Sequence, residues 1–91
     1  MDEQVKQELW KMLEKIAARL NLELTHTGAR TGKQIIFTPE EIVLSLDGNR
    51  DEGIKAAKEI RAFLDVYDIL YDYDDSNPNH NVVNNFVFKL L

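Results

Sequence analysis

The sequence predicts an α+β domain, with two helices packed on one face of a four- to five-stranded antiparallel sheet in the order α-β-β-(β)-α-β-β. Two long segments carry apolar residues at helical spacing. The segments between and after them are short, alternating or β-branched runs bounded by Gly, Pro, Asn and Asp. At 91 residues the chain has room for one hydrophobic core, so a single domain spanning 1–91 with one layer of helix on one layer of sheet is expected.

Val5, Leu9, Met12, Leu13, Ile16 and Leu20 fall on one stripe, which predicts an amphipathic helix from about Glu3 to Leu20. Leu22–Thr25 alternates like a half-buried strand, Gly28–Gly32 supplies turn residues, and Gln34–Thr38 resumes strand composition. Together they read as a β-hairpin with a basic tip. Thr38, Pro39, Glu40 and Glu41 have the spacing of a capping box, so residues 39–46 allow a short helix. The β-branched run Ile42–Leu46 favours a third strand turned on Pro39 instead.

Asp51–Leu64 is the second helix, with Ala57, Ile60 and Leu64 at the centre of its apolar face. Helical spacing could continue through Tyr67 and Tyr71, but the alternation from Val66 to Tyr73 favours a strand. A polar loop over 74–81 leads to a last strand in which Val82, Phe86, Phe88 and Leu90 share a face. A strand so apolar is an aggregation template if its edge is free, so it is expected inside the sheet or under a partner. Ile16–Leu22 and Ile60–Val66 share an apolar pattern 44 positions apart, which would fit an α-β-β duplication or two ordinary helix exits.

Charge is unevenly placed. The net −5 divides into +1 over 1–35, −2 over 36–64 and −4 over 65–91, so the negative excess lies in the last third. Within it, Asp65–Asp75 holds five aspartates and three tyrosines with no basic residue between them. Such a concentration favours cationic partners and repels phosphate backbones. The 44% hydrophobic content excludes a disordered chain, the absence of cysteine favours an intracellular, cytoplasmic setting, and no apolar run approaches the roughly 18 residues of a membrane span.

Motifs for chemistry are poor. Gly28–Lys33 is one residue short of a phosphate-loop spacing and precedes a strand rather than a helix. Asp72, Asp74, Asp75, Asn77, Asn79 and His80 offer metal ligands, but a calcium loop counted from Asp72 lacks its glycine and ends on Val83 where a glutamate belongs. Ser45 and Ser76 are the only serines, and His26 and His80 lie far apart, so no nucleophile–base pair is in view. No metal, no cofactor and no catalysis are expected.

The expected function is a small acidic protein-binding module that engages a basic partner surface through Asp65, Asp68, Asp72, Tyr73, Asp74 and Asp75. One version is an inhibitor of the kind phages and mobile elements encode, a nucleic-acid mimic whose carboxylates imitate phosphates in the groove of a nucleic-acid-processing protein. Trp10 lies beside Leu13 and Ala17 at the flank of the first helix, where it either covers the sheet margin or anchors a partner. Two alternatives are an assembly subunit that forms a homo-oligomer through its apolar C-terminal strand, and a weak nucleic-acid binder through Arg30 and Lys33 at the hairpin tip.

Overall fold

The computed structural model describes residues 1–76 and 83–91. Its elements are α1 (Glu3–Leu20), β1 (Glu23–Thr25), β2 (Gln34–Phe37), β3 (Glu41–Asp47), α2 (Arg50–Val66), β4 (Tyr71–Asp74) and β5 (Val83–Leu90). The strands form one sheet in the order β1-β2-β3-β5-β4, antiparallel except for the parallel pair β1 and β2. Both helices pack on one face, and the α+β class holds with a mixed sheet in place of an antiparallel one.

Each helix starts on a side-chain cap. Asp2 Oδ1 accepts from the Gln4 N–H at 2.7 Å, and Asn49 Oδ1 accepts from Asp51 N–H at 3.0 Å. Each ends on a left-handed residue other than glycine. Asn21 and Asp68 both have φ of 56°, and the residue after each returns a bond into the last turn: Leu22 N–H to the Ala17 carbonyl (2.7 Å) and Ile69 N–H to the Leu64 carbonyl (2.9 Å).

Leu9, Leu13 and Ile16 of α1 and Ala56, Ala57, Ile60 and Leu64 of α2 meet Ile35, Phe37, Ile42, Leu44, Leu46, Phe86 and Phe88 of the sheet in one core. Gly53 is part of this contact, because a Cβ there would collide with the Phe86 ring. The apolar β5 lies between β3 and β4 with both edges paired, as its composition demands.

The turn at Thr38 resolves the ambiguity of 39–46. Its Oγ1 accepts from Glu40 N–H (3.2 Å) and Glu41 N–H (3.1 Å), and its own N–H donates to the Glu41 carbonyl (2.9 Å), closing a reverse turn into β3. The capping-box spacing serves a turn here because the β-branched residues that follow fill a central strand.

Two expectations need correction, and one open alternative is decided. Residues 22–38 are not a hairpin: β1 and β2 run parallel, pairing Leu24 with Ile35, and the connection between them carries Arg30 and Gly32 to Glu41 and Ser45 on the face away from the helices. A three-residue β1 leaves only about 10 Å to retrace, so this short crossover suffices. The crossing is anchored by Gly32 N–H donating to Ser45 Oγ (2.9 Å) and by Arg30 on Glu41, and beneath it Val43 and Ser45 are 0% exposed.

Residues 66–70 are not strand either. The α2 helix continues to Val66, Tyr67 caps it with its ring 4.6 Å from Phe63, and only Tyr71–Asp74 joins the sheet. Finally, the equivalent helix exits are Asn21 and Asp68, which are 47 positions apart and not 44. β1 and β2 are parallel where β4 and β5 are antiparallel, which favours two ordinary helix exits over an α-β-β duplication.

Candidate binding site

The acidic segment ends at the sheet edge. β4 is one of the two edge strands, and its ladder to β5 alternates. Leu91 N–H donates to the Leu70 carbonyl at 3.0 Å, so Leu70 and Leu91 are a hydrogen-bonded pair. Asp72 and Lys89, then Asp74 and Val87, are the next such pairs in this register. Tyr71 and Tyr73 lie opposite Leu90 and Phe88 in the other kind of pair, and their N–H and C=O groups therefore point off the sheet. These groups have no backbone partner among the described residues.

Side chains alternate in the same way. Tyr71 and Tyr73 face the helices, with ring centroids 5.9 and 4.9 Å from that of Phe88. Asp72 and Asp74 face the opposite side and are exposed. They stand about 7 Å apart along the strand. Leu70, on the same side, is 70% exposed beside Leu91. On α2 above the edge, Arg61 lies over the Tyr73 ring at 4.8 Å, and Asp65 accepts from the Tyr71 hydroxyl at 3.2 Å.

The aspartates are thus divided among different tasks rather than displayed along one element. Asp65 belongs to α2 and holds Tyr71, and Asp68 is the left-handed residue that ends the helix. Asp75 accepts from the Tyr73 hydroxyl (3.1 Å) and lies 3.7 Å from Arg50, whose Nη2 also donates to the Asp75 carbonyl at 2.7 Å. Only Asp72 and Asp74 share an open face. Hydrogen bonds from the Ser76 N–H (2.9 Å) and hydroxyl (2.7 Å) hold the Asp74 carboxyl below its ordinary range, which keeps it ionised. The Tyr73 phenol is pushed up to about 12 by burial and by its bond to Asp75.

Trp10 is not part of this surface. It is half-buried on α1, stacked on His26 at 4.6 Å and 6.2 Å from Phe37, at the β1–β2 side of the sheet. That side is about 19 Å from β4 across the four strand spacings. It covers the sheet margin.

Arg30 and Lys33 are likewise separated. Arg30 Nη2 reaches both oxygens of Glu41 at 3.0 Å on the open sheet face, whereas Lys33 lines a hollow with Asp47 and Glu52 near the start of α2. No hairpin tip presents them together. The apolar strand of the assembly alternative is interior, with Phe86 and Phe88 at 0% exposure, so those rings cannot form a contact between folded copies.

Among the described residues no group of three or more histidine, cysteine, aspartate or glutamate side chains could hold a metal, and no helix is long and apolar enough to cross a membrane. Asn77, Asn79, His80 and Val82 lie outside the described residues. Arg61 and the free edge were missed in the sequence. Arg61 could have been found, since it stands one helical turn before Asp65. Comparison of the chain with protein-family models, with curated proteins and with solved structures finds no match.

Proposed function

We propose that the protein is a non-catalytic binding module that captures a basic segment of a partner protein at the β4 edge, through Asp72 and Asp74. The observation that carries this reading is the pairing of two exposed carboxylates, on one face, with a strand whose outer edge is unoccupied among the described residues. Neither carboxylate has a basic side chain within ion-pair distance among the described residues; Lys89 lies across from Asp72 in the register. Both remain available to an incoming cation.

The reading is narrower than a nucleic-acid mimic. Imitating a phosphate backbone needs a file of carboxylates, and Asp65, Asp68 and Asp75 are occupied with Tyr71, the helix end and Arg50. A protein segment carrying a few lysines or arginines fits two charges better than a groove built for a duplex does. A chain without cysteine suits the cytoplasm, where we place it.

The test is the anisotropy of a labelled lysine-rich peptide titrated with the protein at low and at high salt. Affinity should fall at least tenfold as salt rises from roughly 0.05 to 0.3 M, where the screening length shortens to well under 10 Å. Binding that ignores salt, or is absent at low salt, sinks the proposal.

A further inference from the structure

We infer that the partner segment docks as an added β-strand along β4, and that it carries Lys or Arg at two alternate positions. This rests on the reading of the acidic edge as a site for basic segments and specifies how that site works. The N–H and C=O groups of Tyr71 and Tyr73, without a backbone partner among the described residues, are a template for one more strand. A shallow, open hollow of about 420 Å³ lies against this edge, lined from both faces of the strand: Leu70 and Asp72 on one, Tyr71 and Tyr73 on the other, with Arg61 and Asp65 of α2 above. A seat lined by both faces suits an extended backbone better than it suits an isolated side chain.

Charge selects the occupant. In an added antiparallel strand the residues opposite Asp72 and Asp74 point to the same open face as those carboxylates, so both are best as Lys or Arg. The residue two further along falls beside the exposed Leu70 and is best apolar. The residues between them face Arg61 and Asp65, which suits hydroxyl side chains.

A second copy of this chain is a poor occupant. Antiparallel pairing of two β4 edges centred on Asp72 sets Asp72 against Asp72, and pairing centred on Tyr73 sets Asp72 against Asp74 twice. Pairing centred on Tyr71 overlaps the two strands only at that residue and brings Asp74 opposite Asp68. Like charge at these positions keeps the edge from pairing with itself while leaving it open to a cationic strand.

The experiment uses the full chain and an end-capped peptide alternating threonine with lysine, in three forms: unmodified, N-methylated at the threonines, and N-methylated at the lysines. In an antiparallel complex the threonine amides donate to Tyr71 and Tyr73, whereas the lysine amides point away. Methylation at threonine should therefore weaken binding at least tenfold, and methylation at lysine should leave it within about twofold. The reverse pattern would show a parallel added strand and would also support the inference. Equal binding by all three forms with salt dependence intact, or equal loss in both methylated forms, overturns strand addition and leaves capture of basic segments standing. No binding of the unmodified peptide at low salt removes both.

Discussion

Arg50, at the first turn of α2, donates from Nη2 to the main-chain carbonyl of Asp75 at 2.7 Å and lies 3.7 Å from that residue's carboxylate. Its guanidinium also sits 5.3 Å from the centre of the Phe86 ring. A residue from the acidic segment is thereby spent on tying the end of β4 to the start of α2, and the free edge is held in place by that tie. Arg50→Ala should destabilise the domain by about 1 kcal/mol, since the pair is partly exposed and screened. The check is the urea midpoint. A change within error would mean that the contact only decorates the surface.

Gly53 is a close approach between α2 and the sheet. Gly53→Ala gains helix propensity, yet its methyl must enter space held by the Phe86 ring. The collision wins, and the substitution should cost about 1–3 kcal/mol in chemical denaturation. A stabilised variant would show that Phe86 has room to move.

Asp68 tests whether an aspartate in this segment is there for geometry or for charge. It takes a left-handed φ of 56° at the end of α2, a conformation that glycine adopts without cost. Asp68→Gly should hold or raise stability, by up to about 1 kcal/mol. Peptide binding at the β4 edge should be unaffected. A marked loss of binding would place Asp68 in the recognition surface.

Tyr73 gives the domain an alkaline limit. Its phenol is held up to about 12 in the fold, above the ordinary 10, so the fold binds that proton more tightly than the unfolded chain does. The stability this confers is complete below about pH 10 and is lost as pH rises through about 12. The denaturation midpoint should fall across that window, and Tyr73→Phe should flatten the fall. A profile identical in the two proteins would place the phenol in water.

Much of this fold was legible in the sequence because apolar period reports burial directly. The stripe from Val5 to Leu20 marks the span of α1, and the β-branched run Ile42–Leu46 outweighs the capping-box spacing before it. The parallel pairing of β1 with β2 was not legible. Gly28 and Gly32 permit a hairpin as readily as a crossover, and the choice is made by distant partners, Ser45 and Glu41, which receive Gly32 and Arg30.

The alternation Val66–Tyr73 misled for a related reason. Tyr67 can complete a helix by packing its ring against Phe63 as well as it can fill a strand. Of the candidate site, the location and sign of the charge were readable, but its division was not, because hydrogen bonds to Arg50, Tyr71 and Tyr73 depend on tertiary placement.

Two charge-matched variants address the central claim. Asp72→Asn with Asp74→Asn removes two charges from the β4 edge, and Glu3→Gln with Glu14→Gln removes two from the exposed side of α1. Titration calorimetry of each against the threonine–lysine peptide should show the edge variant weakened at least tenfold and the helix variant within about twofold of the parent. Equal weakening in both would mean that the peptide responds to overall charge and that the β4 edge is no site.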